Sequence, residues 1–283
     1  MAAVPRPVVL KFGGELLEDR AHLATVASAV AAIPRHRPLV VVHGGGREID
    51  AALQAAGIEK RQVDGLRITD SPTLDIVVSV VAGAVNTRLV AALTAAGVAA
   101  VGLTGADANC GLSMPAPAHR AVDGRTIDLD RVGVPSMDAD MRLLGTLMRD
   151  RFVPVIACIG IGRDGQLFNV NADTLAGFVA AALGATRLVI AGATPGVLDA
   201  DGRSLAVLEP AAIAGLVASR TATAGMIAKL RACEQALEGN VDEVVIVDGR
   251  DGDALMAAAT GEVLTKATRL TAGLKACPTG HER

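Results

Sequence analysis

Val8-Val9-Leu10-Lys11-Phe12-Gly13-Gly14 and Leu39-Val40-Val41-Val42-His43-Gly44-Gly45-Gly46 are two versions of one pattern, a short apolar run of strand type ending in glycines. Glycines directly after a strand let the backbone turn tightly and aim successive N–H groups into an open space. Such a nest suits phosphate oxygens, and Lys11 beside the first adds a compact positive charge. The chain has five lysines in all, so the placement of each is informative. The two loops read as the two sides of a phosphoryl transfer.

Working outward, apolar runs of strand type alternate with helical periodicity. A helix is expected over 19–32, with Leu23, Val26, Ala27 and Val30 on one face, and a second over 47–56, closed by Gly57. A long apolar helix follows from Ser71, taken as its N-cap, to Ala96. Strand 98–103 precedes hairpin and loop over 110–135, helix Asp138–Met148 and strand Val153–Ile159. Further on come strand Gln166–Val170, a helix to Leu183, strand Arg187–Ala191, helices near 210–218 and 225–237, and strand Glu243–Val247. A short helix near 254–259 and a loose end from Ala272 complete the chain.

This alternation predicts an α/β fold, a three-layer α/β/α sandwich with a largely parallel central sheet. Ligands in such sheets sit at the carboxyl ends of strands, so Lys11, Gly14, Gly44, Gly45 and Gly192 should gather along one edge. No linker cuts the chain. The expected boundary lies near 165, dividing residues 1–165 from 166–283 on one continuous sheet.

Composition narrows the function. Hydrophobic residues make up 51 % and charged residues 20 %, which suits a packed core and excludes wholesale disorder. A net charge of −3 gives no reason to expect nucleic acid or an anionic membrane, although a local basic pocket stays open. The chain has no Trp or Tyr and four Phe, which removes the aromatic platforms of single-strand binding and leaves any bound base to aliphatic side chains. Cys110, Cys158, Cys233 and Cys277 form no C-x-x-C pair, as expected of free thiols in a reducing cytosol. The N-terminus has no apolar signal region, and the greasiest stretch, Ile76 to Val85, is about half the ~20 residues a membrane span needs. A soluble, cytoplasmic protein is expected.

Several signatures fail. No Gly-Lys dipeptide occurs, so the P-loop is absent. Gly160-x-Gly162-x-x-Gly165 matches the dinucleotide fingerprint but precedes a strand-like segment, which makes it a plain tight turn. No serine lies in G-x-S-x-G, so the His43-Gly-Gly-Gly loop does not serve a serine hydrolase. What remains is a set of polar residues in apolar surroundings. Lys11 ends a buried-type strand, Lys229 sits early in a helix, and Asp173 lies near a helix start where the macrodipole favours a carboxylate. Asn171 reads as the N-cap of that helix, and Asn169 has no such explanation. Arg67 is suited to grip a carboxylate. His43 reads as a core histidine without a catalytic role.

Together these pieces resemble the amino-acid kinase family. The matching segments are Lys11-Phe-Gly-Gly, Val42-His-Gly-Gly-Gly46, Gly65-Leu-Arg-Ile-Thr69 and Gly102-Leu-Thr-Gly105. Phe168-Asn-Val-Asn-Ala-Asp173, Thr194-Pro-Gly-Val197, Gly225-Met-Ile-Ala-Lys229 and Asp248-Gly-Arg250 follow in the family's order. The Gly-Leu-Arg segment with Asn-x-Asn-Ala-Asp points to the branch that phosphorylates N-acetyl-L-glutamate in arginine biosynthesis. The resemblance implies Lys11 and Lys229 as the cations on the transferred phosphoryl group, with Asp173 orienting them. It implies Gly13, Gly14, Gly44 and Gly45 as the backbone cradle, and Arg67 and Asn169 as holders of the acceptor's α-carboxylate. ATP would lie on the C-terminal half, at Gly192, Thr194, Gly196, Gly225 and Met226, with Mg²⁺ carried on its phosphates and no protein metal site.

Ala193 stands where an acidic residue is usual in the nucleotide loop, and Ala224 and Ala267 also depart from the family pattern. The chain begins almost at its first strand, without the extra N-terminal helix that goes with arginine-inhibited hexamers in the family, so the resemblance implies a homodimer through helix 71–96, insensitive to arginine. Two alternatives stay open: a different acceptor, such as acetylaminoadipate or a carrier-bound amino acid, and a ligand-binding homologue without turnover. The acceptor half shows no unusual Lys/Arg cluster, which favours a free metabolite.

Overall fold

The computed structural model describes residues 6–121, 123–199, 201–209, 211–213, 224–262 and 266–271. Its strands in chain order are β1 (Val8–Phe12), β2 (Leu39–His43), β3 (Gln62–Val63), β4 (Leu66–Arg67), β5 (Ala100–Thr104), β6 (Ser113–Pro115), β7 (His119–Arg120) and β8 (Thr126–Ile127). They continue with β9 (Val132–Pro135), β10 (Val153–Ala157), β11 (Ile159–Ile161), β12 (Leu167–Val170), β13 (Arg187–Gly192), β14 (Glu243–Asp248) and β15 (Ala267–Thr271). The α-helices are α1 (Arg20–Ala32), α2 (Gly46–Ala55), α3 (Ser71–Val78), α4 (Asn86–Ala95), α5 (Arg142–Arg149), α6 (Ala172–Ala182), α7 (Ala224–Glu238) and α8 (Gly252–Thr260).

A seven-stranded sheet in the order β15-β14-β13-β1-β2-β10-β5 forms the middle layer. All its pairings are parallel except that of the edge strand β15 with β14. Strands β1 and β2 are buried along their whole length, as expected where helices cover both faces. Alternation sorts each strand's side chains between two cores. Val8, Leu10 and Phe12 pack on the face of α1, α4 and α8, whereas Val9 packs with α6 and α7 on the other. By that period Lys11 faces α6, and His43, two residues beyond Val41, faces α4. This division decides which polar residues meet.

A second sheet, β11-β12-β9-β6, sits beside the first. The chain crosses between them at Cys158: the run expected as one strand, Val153–Ile159, is β10 and then β11, broken at that buried residue. Gly160-x-Gly162-x-x-Gly165 is the turn joining antiparallel β11 and β12, with Gly165 at φ +83°. The residues 110–135 hold β6 to β9 with a hairpin at β7–β8.

Three boundaries differ from expectation. Asp70, not Ser71, caps α3, its carboxylate accepting from Thr73 N–H at 3.0 Å. Helix α5 starts at Arg142 rather than Asp138, because Asp140 accepts from Arg142 N–H (2.9 Å) and holds the preceding residues in turns. The long helix runs Ser71–Ala95 with a π-helical stretch over Ser79–Val85. By length and composition that helix could cross a membrane, and the expected ten-residue limit is too short. Its inner stripe of Val77, Val81, Val85, Leu89 and Leu93 is instead buried in the protein. The expected helix at 210–218 falls for the most part outside the described residues, with 211–213 helical; the tail from Ala272 and Cys277 lie outside them too. Cys110, Cys158 and Cys233 are free and buried.

Candidate active site

Strands β2, β1 and β13 lie side by side in parallel register, with Phe12 opposite His43 and Ala191. Their glycine ends therefore converge. Gly13 N–H donates to Ala191 O at 3.0 Å, and Gly44 N–H reaches Phe12 O at 3.4 Å. A Cβ on Gly14 would sit 3.0 Å from Gly45 Cα and Gly46 N, so the two loops touch backbone to backbone. Only residues without side chains permit that approach. Gly46 itself is the first residue of α2.

Asn171 caps α6, its Oδ1 accepting from Asp173 N–H (2.9 Å) and Thr174 N–H (3.1 Å). That cap places Asp173 in the first turn, beneath the face carrying Lys11. Lys11 Nζ and Asp173 Oδ1 form an ion pair at 2.9 Å, with both residues 8 % exposed. Asp173 Oδ1 receives no well-aligned hydrogen bond, which leaves the carboxylate with acceptor capacity. Burial alone would depress the Lys11 pKa; the Asp173 charge and contact outweigh it and hold the ammonium above its ordinary value.

Lys229 comes from α7, which packs along α6. Its Nζ lies 3.4 Å from where a Cβ on Gly192 would be, so it overhangs the end of β13. Burial, then the charge of Lys11, pushes its pKa down, with Asp173 and Glu15 opposing. Two lysines thus converge on the glycine loops, and the charge of Asp173 acts on both.

Glu15 was not anticipated. A Cβ on Gly13 would overlap its carboxylate, and one on Gly192 would lie 3.1 Å from its Oε1. The side chain folds back over the first nest and its charge acts on both lysines. Its position directly after Gly13-Gly14 was the available signal.

His43 is fully buried on the α4 face. Asn86 Nδ2 donates to His43 Nε2 at 2.9 Å and to Val155 O at 2.9 Å. Nε2 is therefore the acceptor, and Nδ1–H donates to Gly44 O at 3.1 Å. Burial lowers its pKa to about 4, so the ring is neutral. It props the second loop from behind.

Arg67 stands on the β3–β4 hairpin, whose Asp64-Gly65 turn has both residues at positive φ (45° and 78°). Its Nη2 is paired with Asp50, whereas Nη1 is buried without a partner. Asn169, on β12, donates to Thr69 Oγ1 at 3.0 Å, and Thr69 Oγ1 donates to Arg67 O at 3.4 Å. Fully buried Thr69 was another unanticipated link.

The expected nucleotide residues are less concentrated. Thr194 is exposed, and Gly196, at φ +111°, turns against Thr268, whose hydroxyl accepts from Val197 N–H at 2.7 Å. Arg250 braces this loop by donating to Ala193 O (3.0 Å). Gly225 is exposed at the start of α7, and Met226 is half-buried against the core.

The chain matches the Amino acid kinase family over residues 6–248. Acetylglutamate kinase of Novosphingobium aromaticivorans is 41 % identical over 263 residues, covering 88 % of this chain and 85 % of that one. Acetylglutamate kinase of Parvibaculum lavamentivorans is 39 % identical over 259 residues, covering 89 % and 84 %. Among solved structures, N-acetylglutamate synthase from Neisseria gonorrhoeae, complexed with coenzyme A and N-acetyl-glutamate, superposes with a TM-score of 0.78 at 25 % identity. That alignment covers 94 % of this chain, which spans 59 % of the synthase. A carbamate kinase from Giardia shares the fold at 16 % identity, with a TM-score of 0.63 over 95 % of this chain and 99 % of that one. On this footing the chain belongs to the amino acid kinase family.

Proposed function

We propose that this protein transfers the γ-phosphoryl group of ATP to the side-chain carboxylate of N-acetyl-L-glutamate, giving N-acetyl-L-glutamyl 5-phosphate in arginine biosynthesis. The observation that carries the reading is the buried Lys11–Asp173 pair at the glycine loops, with Lys229 above it. The acetylglutamate kinases at about 40 % identity supply the acceptor.

A carboxylate oxygen of the acceptor attacks the γ-phosphorus, and the bond from that phosphorus to the β–γ bridging oxygen breaks, releasing ADP. The attacking group has an ordinary pKa of about 4.3 and is already ionised, so no proton moves and no general base is needed. Neutral, buried His43 is consistent with this. The chemical task is to bring anions together in line and to stabilise the charge spread over the transferring group. Lys11 and Lys229 supply fixed positive charge, the N–H groups of Gly13, Gly14, Gly44 and Gly45 supply donors, and Asp173 holds the lysines in place.

Arg67 and Asn169 receive the acceptor's α-carboxylate. The unpartnered, buried Nη1 of Arg67 supports this, because such a donor costs free energy unless a ligand satisfies it. Gly192, Thr194, Gly196, Gly225 and Met226 form the nucleotide side. Mg²⁺ carried on the ATP phosphates would offset part of their charge. The acceptor side corresponds to residues 1–165 together with Asn169 of β12, and the nucleotide side to the rest of 166–283. A cytoplasmic homodimer is part of this reading; the outer face of Ser71–Ala95 carries small residues, Ser79, Gly83, Ala84 and Ala91, that permit close helix packing, and β5 is the neighbouring edge strand. Sedimentation giving a hexamer would contradict it.

ADP release with ATP and Mg²⁺ tests the acceptor. N-acetyl-L-glutamate should support turnover, and L-glutamate and N-acetyl-L-aminoadipate should not. Equal turnover with aminoadipate would reassign the acceptor. Binding of N-acetyl-L-glutamate without turnover would make this a ligand-binding homologue.

A further inference from the structure

Three loops that open parallel strands enclose a cleft of about 610 Å³: residues 34–38 before β2, 97–99 before β5 and 149–152 before β10. These strands are neighbours in the sheet. The cleft lies at their amino ends, and five residues of strand at about 3.3 Å each put it roughly 16 Å from the glycine loops. It is therefore separate from the catalytic edge.

Its charge runs against that of the chain. Arg35, Arg37, Arg149 and Arg151 line it together with the single acid Asp150, in a protein of net charge −3. Arg37 is committed, donating to Ala259 O (3.0 Å) and Thr260 O (3.2 Å) at the end of α8. Arg35, Arg149 and Arg151 are exposed and form no ion pair among the described residues. The adjoining cleft differs: its Arg6 is paired with Asp242, and its Arg187 and Arg269 share Glu243.

Two further features are local. Helix α5 ends in a Schellman motif, with Phe152 N–H on Leu147 O (2.9 Å) and Arg151 N–H on Met148 O (3.1 Å). The left-handed position of that motif normally belongs to glycine, yet Arg151 occupies it at φ +65°. The geometry thus holds a guanidinium where a side chain is disfavoured. Phe152 follows it. Of the four phenylalanines, three are at most 3 % exposed, and Phe152, on the cleft wall, is 42 % exposed.

We infer that this cleft binds a small organic anion, bearing phosphate or carboxylate groups, whose apolar part lies on Phe152. Guanidinium forks match both oxyanions bidentately, and three unpartnered cations suit a ligand of two or more negative charges. The volume falls within the range of metabolite pockets, about 300–1,000 Å³. The inference stands independently of the proposed phosphoryl transfer.

Inorganic phosphate and phenyl phosphate, titrated by calorimetry, test it. Lys11→Ala disables the glycine-loop site, so phenyl phosphate should bind this variant as it binds the parent. Arg35→Glu with Arg151→Glu should weaken binding tenfold or more while ADP release is unchanged. Phe152→Ala should remove the preference for phenyl phosphate over inorganic phosphate. Arg151→Gly guards against misfolding: it relieves the left-handed strain, so it should melt no lower than the parent and still bind several-fold more weakly. Loss of binding in Lys11→Ala, equal binding in the double variant, or no saturable binding to the parent would each overturn the inference.

Discussion

Lys11 Nζ stands 2.9 Å from Asp173 Oδ1, tying the end of β1 to the first turn of α6. Both side chains are nearly buried, so each charge is tolerated because of the other. Asp173→Asn removes the largest influence that holds the Lys11 ammonium up against burial and leaves the weaker charge of Glu15 to oppose it. The expected outcome is a kcat lower by roughly 10²–10³-fold, the size typical for a lost transition-state donor. Destabilisation of about 3–5 kcal/mol, the cost of breaking a buried pair, should accompany it. Steady-state kinetics and denaturant unfolding check the two effects.

Glu15 adds a negative charge beside Gly13 and Gly192, where phosphate oxygens are proposed to lie. Like charges repel, and the carboxylate also competes for the two lysines. Glu15→Gln is expected to bind Mg²⁺-free ATP several-fold more tightly by calorimetry. Weaker binding would show that the carboxylate assists the nucleotide rather than opposing it.

His43 gives the protein a pH dependence of definite sign. Its pKa is lowered by burial from 6.5 to about 4, so between these values the unfolded chain binds the proton and the folded one does not. Stability is therefore complete above the unfolded pKa and is lost as pH falls toward 4. About 2 kcal/mol should vanish between about pH 7 and pH 5. Urea unfolding of His43→Gln, which cannot titrate there, should show that much less acid sensitivity.

Arg67 divides its guanidinium, Nη2 toward Asp50 and Nη1 unpartnered. Lysine is a point charge and cannot serve both directions. Arg67→Lys should raise KM for the acceptor by about tenfold or more, leaving KM for ATP unchanged; this marks a contact made equally in ground and transition states. Asn169→Leu, which breaks the bond to Thr69, should act in the same direction.

The parallel sheet and the meeting of Lys11 with the glycine loops were legible because both follow from strand alternation and from glycines at strand ends. The Asn171 N-cap was legible from helix-cap chemistry, as its two N–H donors bear out, whereas the pairing of Asp173 with a lysine was implied only by the family resemblance. The hidden features depend on three-dimensional return. Glu15 had a local signal in its place directly after Gly13-Gly14, but no local pattern says that His43 meets Asn86 across 43 residues. The choice of Asp70 over Ser71 as cap lay between two good capping residues. No unusual cationic cluster was expected in the acceptor half. Arg35, Arg149 and Arg151 are far apart in sequence, and only the common starting edge of β2, β10 and β5 gathers them.

The central claim is that the acceptor's side-chain carboxylate receives the phosphoryl group. Hydroxylamine converts an acyl phosphate to a hydroxamate, which mass spectrometry locates. With ATP, Mg²⁺ and N-acetyl-L-glutamate, one hydroxamate at the side-chain carboxyl, absent with Lys11→Ala, is the expected result. ADP formed without hydroxamate, or the same yield from Lys11→Ala, would contradict both the chemistry and the site.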